Sequence, residues 1–256
     1  MIPVSFLVLT FAISLTGFAC ILAIPPARSP DTAIGLPFWL IMVWGPSLAA
    51  IILSARNHEL LDLLSRTIKV STVPWEAWGL VLAPLVILLL IKPFTPGEAP
   101  SIGAGLVAGM IGFNLILGPL GEELGWRGLF QEQLNQRIGW LEASLLIGII
   151  WLVWHLPLWT IDSPHAQIAL PLFAAHCMLY SVIIGAAYTI SGGSILPAIL
   201  IHLTVNLAAN LALFVGFRDP NAWFSASLIP LCLLALCAIG LVYARTGLIG
   251  IRWLQM

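Results

Sequence analysis

Charge is what this sequence has least of. Only 8% of its 256 residues are Asp, Glu, Lys or Arg, while 60% are hydrophobic; an ordinary soluble domain carries about 25% charged residues. No soluble fold hides so much apolar surface. There is no basic block, and the formal net charge is −1, so the electrostatic footprint of a nucleic-acid partner is missing. No CxxC pair occurs. Cys20, Cys177, Cys232 and Cys237 each sit in an apolar run, which argues against both a disulfide framework and a thiolate metal site. No Lys or Arg precedes the first apolar stretch, so the charged n-region of a signal peptide is lacking, and Cys20 after Gly17-Phe18-Ala19 only faintly resembles a lipoprotein cleavage site. Residues 3–24 therefore read as a retained first span. The partner that these absences leave is the lipid bilayer.

What the sequence does have is a succession of apolar windows. A helix needs about 20 apolar residues to cross the hydrocarbon, and such windows fall near 3–24, 36–55, 77–93, 103–136, 140–160, 167–190, 195–216 and 223–245. The expectation is an all-α, polytopic transmembrane helical bundle of about eight spans, with no soluble domain and no internal repeat. Pro and polar clusters mark the breaks, among them Pro25–Arg28, Pro93–Glu98, Asp162–His165, Ser191–Ser194 and Arg218–Asn221. Residues 57–72 are too polar to span, but place Leu60, Leu61, Leu63 and Leu64 on roughly one helical face, as an interfacial helix would.

With the N-terminus inside, seven basic residues (Arg56, Arg66, Lys69, Arg127, Arg137, Arg245, Arg252) fall on inner segments and three (Arg28, Lys92, Arg218) on outer ones. That bias predicts a multi-pass protein of the cell membrane, plasma or inner, with both termini cytoplasmic. Trp39, Trp44, Trp75, Trp78, Trp140, Trp159, Trp223 and Trp253 lie near span ends, where interfacial tryptophan belts are expected.

Ionisable residues inside spans are costly and mark function. The fourth window carries Glu122, Glu123 and Arg127. Glu123 and Arg127 are i and i+4, with the acid on the favourable N-terminal side, and satisfy each other. Glu122 points about 100° away and has no local cation, which leaves it free for chemistry. The fifth window places His155 one turn after Trp151 in an apolar helix, and the seventh places His202 and Asn206 one turn apart on one face. Taken singly, each is as well explained by polar contacts between packed helices. Taken together, an antiparallel hairpin turning near Ile138 would bring Glu122 and His155 to the same height, each about 25 Å from the turn. A single polar pocket opening inward follows.

At these residues the sequence resembles the CPBP family of intramembrane proteases, which includes the type II CAAX prenyl endopeptidases and the bacterial Abi, or bacteriocin-processing, homologues. The family pattern of EExxxR, FxxxH and HxxxN or HxxxB on three helices is met by Glu122-Glu123 with Arg127, by Trp151 with His155, and by His202 with Asn206. Trp151 departs from the usual phenylalanine. The resemblance implies residues 103–215 as the catalytic core, 1–102 as N-terminal helices, and 216–256 as a last helix with a short tail. It implies cleavage of a peptide or membrane-protein substrate in a membrane-embedded cavity. Glu122 and His155 would activate water, His202 and Asn206 would bind the oxyanion, and Glu123 with Arg127 would hold the pocket. No cofactor is required in this scheme. Zinc is the alternative, since Glu122, His155 and His202 supply one carboxylate and two histidines, although no HExxH motif occurs. Two other classes compete: a catalytically silent scaffold or immunity protein, and a proton- or ion-coupled transporter. The ionisable groups form one cluster and not a chain across the bilayer, which weighs against transport. Substrate and oligomeric state are left open by the sequence.

Overall fold

The computed structural model of the protein describes residues 2–94, 103–161, 163–214, 217 and 219–247. Its helices in chain order are α1 (Ile2–Ala23), α2 (Gly35–Val43), α3 (Gly45–Arg56), α4 (Leu60–Ser65), α5 (Trp75–Ile91), α6 (Ala104–Ile116), α7 (Pro119–Glu123), a π-helical stretch (Leu124–Gln131), α8 (Glu132–Ile138), α9 (Trp140–His155), α10 (Leu170–Ile190), α11 (Leu196–Phe214) and α12 (Pro220–Thr246). Short 3₁₀ turns connect several of them, and no strand occurs among the described residues. The all-α polytopic bundle is borne out.

Each of the eight apolar windows contains helix, but the described residues hold six helices long and apolar enough to cross a membrane. A seventh is gained if the pair α2 and α3, bent by 59°, counts as one span. Within the described residues the apolar stretch of α11 runs over Leu196–Ala212. The exact count of eight is not confirmed by helix length among the described residues. The expected break residues 95–98, Asp162 and Arg218, and the expected tail residues Arg252 and Trp253, lie outside the described residues.

Packing explains the arrangement. α10 is flanked by α9, α11 and α12, and α5 lies against α11. α1 packs on α2 and α3, and α3 packs on α7 and the π stretch. The bend between α2 and α3 falls at Trp44, just before Pro46, which cannot continue the hydrogen-bond ladder of a preceding turn. It lets α3 press on the chain that carries the acids. A Cβ at Gly125 would lie 2.4 Å from the Pro46 carbonyl oxygen, so only glycine admits this approach. The Ser47 hydroxyl donates to the Leu120 carbonyl (2.8 Å), and the Trp44 indole N–H donates to that of Ile116 (2.8 Å). These bonds satisfy backbone oxygens where the chain breaks between α6 and α7, in a region where water cannot do so.

The polar segment after α3 differs from the expected interfacial helix. Only Leu60–Ser65 is helical, and its leucines do not share a face toward lipid: Leu63 is buried in the core at 1% exposure, while Leu61 is 83% exposed. The segment instead straps the turn between α10 and α11. Ile195 N–H donates to Arg66 O (2.9 Å), Ser194 Oγ to Lys69 O (2.7 Å), and Thr72 Oγ1 to Ser191 O (2.8 Å). The expected tryptophan belts also dissolve in part, because Trp39, Trp140 and Trp223 are buried in the protein, Trp44, Trp78 and Trp159 are partly buried, and Trp75 alone of these seven is widely exposed.

Candidate functional site

Three helical elements bring the site together. Gly118 and Pro119 interrupt the helix begun by α6, and Pro119 starts α7, where its missing N–H costs nothing. α7 then carries Glu122 and Glu123 into the core, with Glu122 4% exposed and Glu123 fully buried. The chain continues as a π-helical stretch of eight residues before returning to an α-helix at Glu132. Wide π turns of this kind are rare and occur mostly at functional sites. α9 ends at His155 and the chain continues as a 3₁₀ turn, Leu156–Thr160, because Pro157 lacks the N–H that would make the helix's next hydrogen bond. The hairpin turn at Gly139, with φ of 95°, stands one residue past the expected Ile138.

The ion pair inferred from the i, i+4 spacing is present and fully buried. Arg127 Nη1 donates to Glu123 Oε1 (3.1 Å) and lies 3.0 Å from Oε2. The guanidinium also donates from Nη2 to Ser181 Oγ on α10 (3.3 Å), whose own hydroxyl donates to the Ser144 carbonyl on α9 (2.7 Å). Glu123 has a second partner that lies 79 positions away in sequence: His202 Nδ1 donates to its Oε1 at 2.7 Å. A carboxylate only accepts, so Nδ1 carries the proton and Nε2 is presented toward the site. His202 Nε2 lies 4.0 Å from Glu122 Oε1, a gap of the size a bridging water spans.

Glu122 is not without a local partner after all. Its Oε2 accepts a 2.6 Å hydrogen bond from the indole N–H of Trp151, on the next span. The Trp151 ring packs edge-on against both His155 and His202, and the Arg127 guanidinium stands 5.6 Å from its centroid. This is the residue that departs from the phenylalanine of the family pattern. The departure adds a donor. Glu122 thus meets the helix one turn before His155 and not at His155 itself. His155 Nδ1 faces the Trp151 carbonyl at 2.8 Å and must donate to it, so in the neutral ring Nε2 is the unprotonated nitrogen. His155 is 7% exposed and sits among Trp154, His165 and Phe173, with ring centroids 4.8, 5.6 and 5.2 Å away. His165 comes from the short turn Pro164–Gln167 between spans, and burial holds its imidazole down to a pKa of about 4.

Asn206 lies one turn beyond His202 on α11, against the break before α7: a Cβ at Gly118 would be 2.9 Å from Asn206 Nδ2 and 3.9 Å from His202 Nε2. All six residues singled out from the sequence therefore belong to one buried neighbourhood. Trp151, Ser181 and His165 are additions. The indole N–H of Trp151 was legible as a buried donor in need of an acceptor, whereas nothing in the sequence marks Ser181 or His165. A zinc site made from Glu122, His155 and His202 fits less well. Among the described residues no group of three or more His, Cys, Asp or Glu side chains converges to hold a metal ion.

Fold and site together define a multi-pass helical membrane protein with a buried carboxylate, histidine and asparagine cluster drawn from three spans. Residues 103–208 match the family described as type II CAAX prenyl endopeptidase Rce1-like, which bears out the resemblance carried by the motifs. The chain is also 32% identical over 145 residues to CAAX prenyl protease 2 of Methanococcus maripaludis, a stretch that covers 50% of this chain and 53% of that protein. The chain thus spans about half the length of the curated relative it matches.

Proposed function

We propose that this protein is an intramembrane endopeptidase of the CAAX protease and Abi type, hydrolysing a peptide bond in its buried cavity. The observation that carries the reading is the convergence of Glu122, His155, His202 and Asn206 from three spans, within the segment that matches a prenyl endopeptidase family. The roles follow from what each atom has left to offer. Trp151 holds Glu122 Oε2, so Oε1 is the oxygen that takes a proton from water. His155, with Nδ1 committed to a carbonyl, offers the Nε2 lone pair to orient that water. As the water oxygen attacks, the substrate carbonyl becomes an oxyanion. The Asn206 amide donates to it across a low-dielectric pocket, where a fixed donor acts more strongly than in water, and His202, one turn before Asn206 on α11, completes the oxyanion side of the pocket. Glu122 then returns the proton to the leaving amine. Glu123 and Arg127 fix the His202 ring and stay out of the reaction. Water activation here needs no metal; zinc held by Glu122, His155 and His202 is the alternative that elemental analysis decides.

Peptides or membrane-protein segments are the substrates in this reading, and a prenyl group is not required by any residue of the site. The protein resides in the cell membrane with both termini in the cytoplasm. Arg127 is spent on the core pair, so the supporting bias becomes six basic residues inside against three outside. Reporter fusions at each terminus check this, and an outward terminus would overturn the inward-opening cavity. Comparing the membrane proteome with wild type and with Glu122→Ala tests the activity: substrates should accumulate uncut in the variant, and identical proteomes with a preserved biological role would favour the silent scaffold.

A further inference from the structure

α6 is bound to the rest of the protein unlike any other span. None of its residues is buried, and a Cβ at Gly105, Gly109 or Gly112 would meet nothing within 4 Å. Glycines in membrane helices ordinarily let a neighbouring helix come close; among the described residues no helix does so here. Leu115 packs against the core, and beside it a polar contact joins α6 to α11. Asn210 Nδ2 donates to Asn114 Oδ1 (2.9 Å), and Asn114 Nδ2 donates to the Met110 carbonyl (2.7 Å). Asn210 is one turn beyond Asn206, which is one turn beyond His202, so α11 presents a file of three polar side chains that starts at the site and runs along the seam with α6. Among the described residues the Asn206 carboxamide and the Asn210 oxygen have no hydrogen-bond partner, and both residues are only half-buried.

We propose that this seam is the substrate groove, in which Asn206 and Asn210 take the backbone amides of an extended peptide lying between α6 and α11. The inference rests on the proteolytic reading and adds where the substrate chain runs. A peptide drawn into a membrane-embedded site as an extended strand carries N–H and C=O groups that lipid cannot satisfy. A carboxamide offers the same donor and acceptor as a peptide unit. Spacing supports the match: side chains at i and i+4 rise about 6 Å along a helix, close to the roughly 6.6 Å over which an extended chain presents successive amides on one edge. From Asn206, which donates to the oxyanion, to Asn210 the rise is about 6 Å, or about two extended residues at roughly 3.3 Å each. Asn210 therefore meets the substrate about two residues from the cleaved bond, after releasing Asn114.

The test uses the full chain in lipid nanodiscs and two pools of internally quenched, randomised peptides, one of end-capped dipeptides and one of decapeptides. A dipeptide leaves one residue, about 3 Å, on either side of the cut and cannot reach Asn210. Asn210→Leu is expected to raise KM for decapeptides about tenfold with kcat within twofold, and to leave dipeptide cleavage unchanged; Asn210→Gln should restore most of the decapeptide affinity. Equal losses on both pools would mark Asn210 as helix-packing glue and overturn the proposal. Glu122→Gln that still cleaves either pool would overturn the proteolytic reading instead, and the groove with it.

Discussion

Replacing Arg127 by alanine should be among the most damaging single changes available in this protein. The guanidinium is fully buried and answers Glu123 at 3.0–3.1 Å and Ser181 at 3.3 Å. Its removal leaves a buried carboxylate with His202 alone as partner. Breaking a buried pair from one side costs typically about 3–5 kcal/mol, because the remaining charge has no compensation. For a chain of this size about 1 kcal/mol moves the melting temperature by roughly 2–4 °C, so the expected fall is on the order of 6–20 °C. Glu123→Gln should fall comparably, since it removes the negative charge that compensates the buried Arg127 guanidinium. Glu122→Gln keeps an amide oxygen to accept the Trp151 N–H and has no cation to strand, so its melt should stay within a few degrees of wild type. Thermal unfolding in detergent, followed by tryptophan fluorescence or by monodispersity after heating, reads all three. Equal melts for Glu122→Gln and Arg127→Ala would refute the division between a structural and a reactive acid.

Trp151→Phe keeps the ring that packs on both histidines and deletes only the N–H that holds Glu122; kcat should fall about tenfold, by roughly one lost hydrogen bond to a charged group, with KM and the melt little changed. An unchanged kcat would show that the indole merely fills space. His165 is expected to set an acid limit on stability. Its folded pKa of about 4, lowered by burial, lies below the ordinary value, so the unfolded chain binds the extra proton first and stability falls as pH drops from about 6.5 toward 4. Melts across that range should flatten in His165→Phe, and an identical acid slope in both proteins would contradict this.

The sequence carried the parts of this site that depend on local spacing. Glu123 and Arg127 are one turn apart, His202 and Asn206 are one turn apart, and a glycine ends the α8 turn where the hairpin folds back. It did not carry what long-range packing decides. The Glu123 contact with His202 joins residues 79 positions apart, and the Trp151 contact with Glu122 joins residues 29 apart; neither spacing has a period. The matched heights computed for Glu122 and His155 assume α-helical rise throughout, whereas the π stretch winds more residues into each turn and α9 reaches Glu122 with a long indole one turn before His155. The exact number of spans was not legible either, because hydropathy does not see the 59° bend between α2 and α3. The leucines of the polar segment after α3 looked lipid-facing by periodicity, yet the segment ties its backbone to the turn before α11, a contact set by tertiary structure alone.

The central claim is that Glu122 and its histidine neighbours activate water to cut a peptide bond. The most direct measurement is peptide cleavage by purified, metal-analysed protein in nanodiscs, comparing wild type, Glu122→Gln, His155→Ala and His202→Ala with and without a chelator. The account predicts that wild type cleaves with or without the chelator, and that every substitution abolishes turnover while Glu122→Gln remains folded. Stoichiometric zinc that disappears together with activity on each substitution would contradict direct activation by the glutamate, and full turnover by Glu122→Gln would contradict the site itself.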